Sequence, residues 1–206
     1  MLYTLDLFAT VVFAITGALT ASRKEMDILG FLWLGAAAGV GGGTIRDLIL
    51  DQPVFWTVSP TPLVVSLCAA AAMHFIAPVF QSRLTVITWL DAFGMAFAAT
   101  AGTVKCIGLE TSGIVAVVLG VFSASAGGII RDLLGQEPSI VLKKDIYVSA
   151  AAAGATALVL LAASGVSIEL ASLCGFCISL SLRGAAIAFG WTLPAFKSRP
   201  ARNIDE

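Results

Sequence analysis

The chain has 206 residues, 58% of them hydrophobic and only 12% charged, with a net charge of −1 and a mean hydropathy of +0.96. A soluble domain carries about 25% charged residues, so a water-facing enzyme or binding module is excluded as the main body. The near-zero charge offers no basic footprint for nucleic acid.

Apolar runs lie at 5–21, 28–50, 62–80, 84–105, 112–134, 146–164 and 167–192. Crossing a hydrocarbon core of roughly 30 Å takes about 20 helical residues. The runs are continuous rather than alternating, which argues against a membrane β-barrel. The expected fold is an all-α membrane protein with seven transmembrane helices in one domain over 1–206, with no soluble domain and no long loop.

Span 1 carries Asp6 and lacks a basic leading segment, so it reads as a retained helix rather than a cleaved signal peptide. Span 2 holds Gly35, Gly39 and Gly43 at every fourth place and ends in GGGTIRDLI (41–49). Span 3 contains His74, the only histidine, so no histidine-based metal cluster exists. Span 4 opens near Asp91, and span 5 carries Gly120, Ala124 and Gly128 before AGGIIRDLL (126–134). Cys174-Gly-Phe-Cys177 in span 7 has redox or metal spacing. With no histidine or second pair nearby, it reads as small buried residues.

Residues 5–53 recur without a gap at 90–138, with 15 of 49 positions identical. The shift of 85 aligns Asp6 with Asp91, Gly17 with Gly102, Gly35 with Gly120, Arg46-Asp47 with Arg131-Asp132, and Pro53 with Pro138. Residues 5–80 then form a first three-helix unit and 84–164 its copy, with 167–192 as a seventh helix and 193–206 as a tail. Three crossings is an odd number, so the copy enters from the opposite side. This is an inverted repeat about an axis in the membrane plane.

Lys105 is the only basic residue in the connections on one side, against Arg23, Lys24, Arg83, Lys143, Lys144, Lys197, Arg199 and Arg202 on the other. The positive-inside rule places the N-terminus outside and the C-terminal tail in the cytoplasm, beside anionic lipid head groups. Asp6 then shares a depth with Arg46-Asp47 near the outer face. Asp91 shares one with Arg131-Asp132 near the inner face. Ionisable groups in a membrane are costly and pair or line a watery path. The expected pairs are Asp6 with Arg46 and Asp91 with Arg131, either locking helices or bordering a path.

Gly35 and Gly120 read as close-packing positions. The runs Gly41-Gly42-Gly43 and Gly127-Gly128 weaken the helix by about 1 kcal/mol per glycine relative to Ala, which permits a kink or an unwound turn. No Lys-Ser or Lys-Thr follows, so neither run is a phosphate-binding loop. Two such breaks entering from opposite sides form a pore or transport site. Its neutral polar neighbours are Thr44, Ser123 and Ser125, with Thr16 on span 1.

On GGGTIRDLI and AGGIIRDLL, duplicated in a seven-span chain of this length, the sequence resembles the prokaryotic TRIC channels. These are relatives of the trimeric intracellular cation channels of animals. The resemblance implies a homotrimer in a bacterial or archaeal inner (plasma) membrane, with a pore in each protomer between kinked spans 2 and 5. It implies passive flux of potassium and sodium ions, no resident cofactor, and membrane lipid as a neighbour. The matching residues are Gly41, Gly42, Gly43, Arg46 and Asp47 in one half, and Gly127, Gly128, Arg131 and Asp132 in the other. Ala126 departs from three glycines, implying a weaker inner kink, and no Lys accompanies it to hold a phosphoinositide. Asp47 and Asp132, with backbone carbonyls, are candidate selectivity groups. The alternative is a secondary transporter for a small zwitterion such as glycine, which an inverted repeat serves equally well. An enzyme is disfavoured, since no nucleophile–base pair or cofactor motif is present.

Overall fold

The computed structural model describes residues 1–80, 82–139 and 146–194. Among the described residues there are eight α-helices and one 3-10 turn: α1 (Leu2–Arg23), α2 (Ile28–Ile49), α3 (Phe55–Val58), α4 (Thr61–Ile76) with the turn Ala77–Val79, α5 (Arg83–Gly108), α6 (Gly113–Leu134), α7 (Val148–Ala163) and α8 (Ile168–Phe189). Lys143, Lys144, Lys197, Arg199, Arg202 and the tail beyond residue 194 lie outside the described residues.

Among the described residues six helices are long and apolar enough to cross a membrane: α1, α2, α4 with its 3-10 turn, α5, α6 and α8. The run expected at 146–164 forms α7, a shorter apolar helix of 16 residues, about 24 Å long at 1.5 Å per residue. The one-turn α3 falls in a stretch that hydropathy alone reads as loop. Large apolar side chains such as Leu29, Trp33, Phe75, Ile114, Leu133 and Phe189 are exposed on the outer surface. Hydrocarbon, not water, is the solvent that suits them.

The sequence repeat is also a backbone repeat. Glu25 and Asp51 take positive φ values of 54° and 51°, and Glu110 and Gln136, 85 residues on, take 55° and 50°. Asp27 caps α2 by accepting the Gly30 N–H, and Ser112 caps α6 by accepting the Val115 N–H. Within the first unit α1, α2 and α4 pack on one another, and α5, α6 and α7 do the same in the second. Across the units α1 packs on α5 and α2 on α6, while α8 covers α5 and α7.

Small residues set these contacts. A methyl group added at Gly17 would stand 2.6 Å from the Leu34 carbonyl oxygen and 3.0 Å from the Gly35 Cα. At the matching Gly102 it would stand 3.2 Å from the Leu119 oxygen and 3.0 Å from the Gly120 Cα. Methyl groups added at Gly35 and Gly120 would likewise stand 3.1 and 3.0 Å from the Ala14 and Ala99 carbonyl oxygens, so both act as close-packing positions, as expected. Gly154 of α7 and Gly175 of α8 make a further close approach of backbones.

Two sequence expectations, an unwound turn at the glycine runs and burial of the span 7 cysteines, meet a different structure. The glycine runs do not unwind, because α2 and α6 are each assigned as one continuous α-helix through them. In apolar surroundings an opened turn strands N–H and C=O groups, a larger cost than the glycine penalty. Cys174 and Cys177 are free and not fully buried; Cys177 is exposed on α8. His74 is held edge-on between Phe31 and Phe75.

Because Gly17 meets backbone rather than a movable side chain, Gly17→Val should cost about 1–3 kcal/mol by overpacking. Thermal unfolding in detergent should show a clear loss of stability for Gly17→Val, and no loss for Gly108→Ala, where nothing lies within 4 Å.

Candidate functional site

Two charged clusters sit at opposite ends of the α2–α6 contact. In the first, Arg46 near the end of α2 reaches Asp6 near the start of α1, with Nη1 donating to Oδ1 at 2.6 Å and Nη2 to Oδ2 at 3.2 Å. Its Nε donates to Asp47 Oδ1 at 2.8 Å. In the second, Arg131 Nη1 donates to Asp91 Oδ1 at 2.6 Å and Nε to Asp132 Oδ1 at 2.9 Å. Both expected pairs therefore form, and both arginines are no more than 1% exposed. A buried guanidinium is tolerated when carboxylates match its fork.

The helix ends group accordingly. Lys105, near the end of α5, donates to Asp47 at 2.7 Å, so that end of α5 lies with the start of α1. At the other end Arg83, opening α5, donates to the Ser22 carbonyl near the end of α1. Arg23 and Lys24 there meet Glu137, just past α6, at 3.6 and 3.2 Å. Thus α1 and α5, which hold matching places in the two copies, run in opposite directions.

The α2–α6 contact between the clusters is self-complementary. A methyl group at Gly42 would stand 2.6 Å from the Ser123 oxygen, and at Gly127 it would stand 2.9 Å from the Ala38 oxygen. Residues 42 and 127, like 38 and 123, are 85 apart. The two-fold that exchanges the repeats passes through this contact, as in any self-complementary interface.

The remaining sequence candidates divide. Gly42, Gly43, Ser123 and Asp6 border a void of about 10 Å³ beside the first cluster, together with Thr10 and Phe13. Gly41 packs on Ile130, and Gly43 also abuts the Phe55 ring. Gly128 faces Asp91, Arg131 and the Tyr147 hydroxyl. Thr44, Ser125 and Thr16 do not present free hydroxyls. Thr44 donates to the Val40 carbonyl and accepts from the Trp56 indole. Ser125 donates to Val121 and Thr16 to Phe13. Asp47 is also unlike an open selectivity group, being fully buried with Arg46, Lys105 and the Phe55 N–H all donating to it.

Several participants were not singled out from the sequence. Lys105 was counted only as a loop charge, though it closes the first cluster. Arg183, fully buried on α8, stands over the Tyr147 ring at 5.3 Å and donates to the Ile146 carbonyl. The Tyr147 hydroxyl in turn donates to the Ala124 carbonyl on α6 at 3.1 Å. A lone cation inside an apolar span is the signal for Arg183; nothing in hydropathy marks Tyr147. Among the described residues no group of His, Cys, Asp and Glu could hold a metal ion.

Removing one member of a buried ion pair leaves the other uncompensated, at a cost of about 3–5 kcal/mol. Asp6→Ala should therefore destabilise the protein strongly. Adding Arg46→Ala should recover much of the loss, since Asp47 keeps Lys105 and the Phe55 N–H. A double-mutant cycle on thermal stability in detergent checks this; additive losses would contradict a coupled pair.

Comparison with known proteins agrees with this geometry. A family model described as Glycine transporter matches twice, over residues 3–78 and 88–163. The UPF0126 inner membrane protein YadS of Escherichia coli K12 is 40% identical over 204 residues, covering 95% of this chain and 96% of its own. A UPF0126 membrane protein of Vibrio cholerae is 34% identical, covering 95% and 83%. Among solved structures, a TRIC trimeric intracellular cation channel orthologue from Rhodobacter sphaeroides is 44% identical with a TM-score of 0.90, covering 92% of this chain and 98% of that one. A second TRIC cation channel is 29% identical with a TM-score of 0.85, covering 96% and 98%. The doubled family match, the full-length relatives and these folds together place the chain in the prokaryotic TRIC channel family of membrane proteins.

Proposed function

We propose that this protein is a monovalent cation channel that passes potassium or sodium ions down their gradients, through a path inside each protomer of a homotrimer. The observation that carries this reading is the pair of symmetry-related Asp–Arg clusters at opposite ends of the α2–α6 contact, with a small void beside one of them. Ionisable groups at membrane depth border ion paths when they are not merely locking helices. The likeness to TRIC cation channels, one of them named as trimeric, supports both the cation and the trimer.

In this reading the chain is one transmembrane domain of seven spans, with α7 as the sixth. The units α1–α2–α4 and α5–α6–α7 form an inverted repeat across the membrane, and α8 completes the protomer. The Asp6 cluster faces outside and the Asp91 cluster faces the cytoplasm of a bacterial or archaeal cell, following the bias of eight basic residues to one. No cofactor takes part; lipid surrounds the trimer. The tight α2–α6 contact makes the conformation described here a closed one. Selectivity then belongs to backbone carbonyls exposed when that contact loosens, rather than to Asp47 in its closed-state bonds.

Glycine transport is the second reading. It is favoured by the description of the family model and by the general use of inverted repeats in transporters. Purified protein in a planar bilayer separates the two. The channel reading expects unitary ohmic currents in symmetric potassium chloride. Saturable glycine uptake that follows the proton gradient, without unitary currents, would sink it.

Leucine at both Gly42 and Gly127 would be driven against the Ser123 and Ala38 carbonyls and would jam the path's central contact. The double variant should lose flux while still migrating as a trimer; a trimer with unchanged conductance would contradict a path through this contact.

A further inference from the structure

One difference between the two halves of the proposed path is a large aromatic side chain. Phe13 of α1 is 3% exposed. Methyl groups added at Gly94 of α5 or Gly127 of α6 would each stand 3.2 Å from its ring, so the ring lies between those two helices. The 85-residue counterparts of Phe13, Gly94 and Gly127 are Ala98, Ala9 and Gly42. All three border the void of about 10 Å³ beside Asp6. The repeat therefore builds the same niche twice. The Phe13 ring fills one niche, whereas the place of that ring in the other is taken by the Ala98 methyl, and this second niche, which Phe13 borders at its edge, stays partly empty. Roughly 10–15 Å³ is needed to hold one water, so the empty niche stands at the threshold of hydration.

From this we propose that Phe13 is a one-sided hydrophobic plug. It closes the Asp91 half of the path while leaving the Asp6 half able to admit water as far as Ser123. The inference rests on the channel reading and names how that channel is held shut. An apolar constriction stops ions by excluding water, without a charged barrier. The neighbouring glycines suit the role: Gly94 and Gly127 leave the ring room against backbone, and a modest shift of α1 relative to α6 would withdraw it. The Asp6–Arg46 pair, two turns from Phe13 on α1, ties that helix to α2 and fixes where the ring stands.

The test exchanges the plug between niches. Phe13→Ala should raise the bilayer current per reconstituted trimer severalfold, because it removes the dewetted constriction. Ala98→Phe should lower it below wild type. The double exchange, Phe13→Ala with Ala98→Phe, keeps the total side-chain volume, so it still tests the plug if a single variant fails to fold. It should restore a low current with the barrier moved to the Asp6 side.

A second readout does not depend on ions. Ser123→Cys, in a background with the four native cysteines replaced by alanine, is treated from one side of sealed vesicles with silver ion, a thiol reagent small enough to follow water. The thiol should react from the Asp6 side when Phe13 is present, and from the Asp91 side in the double exchange. A thiol whose sidedness is unmoved by the exchange, or which reacts from neither side in any variant, overturns the plug. Currents in wild type that none of the substitutions alters would overturn it too, and leave the channel reading standing. A switch of sidedness with no current in any variant would uphold the plug and remove the channel reading.

Discussion

The structure depends on keeping two arginines inside a membrane protein. Arg46 and Arg131 sit where neither water nor lipid can solvate a guanidinium, and each is admitted only because two carboxylates reach it from different positions. One carboxylate is the next residue in the chain. The other comes from the first helix of the same unit, so satisfying the charge requires that helix to lie against the second at one register. A slip of a single turn, about 5.4 Å, would strand the charge. The pairs thus act as register pins for α1 on α2 and for α5 on α6.

Glycine lets the pins close. Gly17 against Leu34 and Gly35, and Gly102 against Leu119 and Gly120, bring the paired helices to backbone contact, which side chains of ordinary size would prevent. The same device then joins the units, where Gly42 and Gly127 meet the Ser123 and Ala38 carbonyls across the two-fold. Charge sets the register and the missing side chains set the distance. Function, in the proposed reading, uses the join between units, because a contact made of bare backbone can loosen without breaking a side-chain interlock.

Much of this was legible in the sequence, for identifiable reasons. Asp6 and Arg46 could be matched because a charge in an apolar span must find a partner, and the count of crossings put them at one depth. The spans were readable because hydrocarbon demands long apolar runs. Less legible was what depends on local packing. The glycine runs suggested broken helices, but they remain helical because an opened turn in apolar surroundings has nothing to bond to. Thr44 and Ser125 looked like lining hydroxyls, yet each donates to its own helix, a choice hydropathy cannot reveal. Lys105 reads only as a loop charge because its repeat partner is Thr20, so the comparison that matched Asp6, Arg46 and Asp47 with their copies gave no signal there. Arg183 and Tyr147 lie outside the aligned repeat altogether.

The central claim is that the two pinned halves enclose a path for cations. Its most direct test is the reversal potential of the reconstituted protein in a planar bilayer under a gradient of potassium chloride. The account predicts currents that reverse close to the equilibrium potential of potassium. Reversal at the chloride potential, or a protein that carries no current yet accumulates glycine, would contradict it.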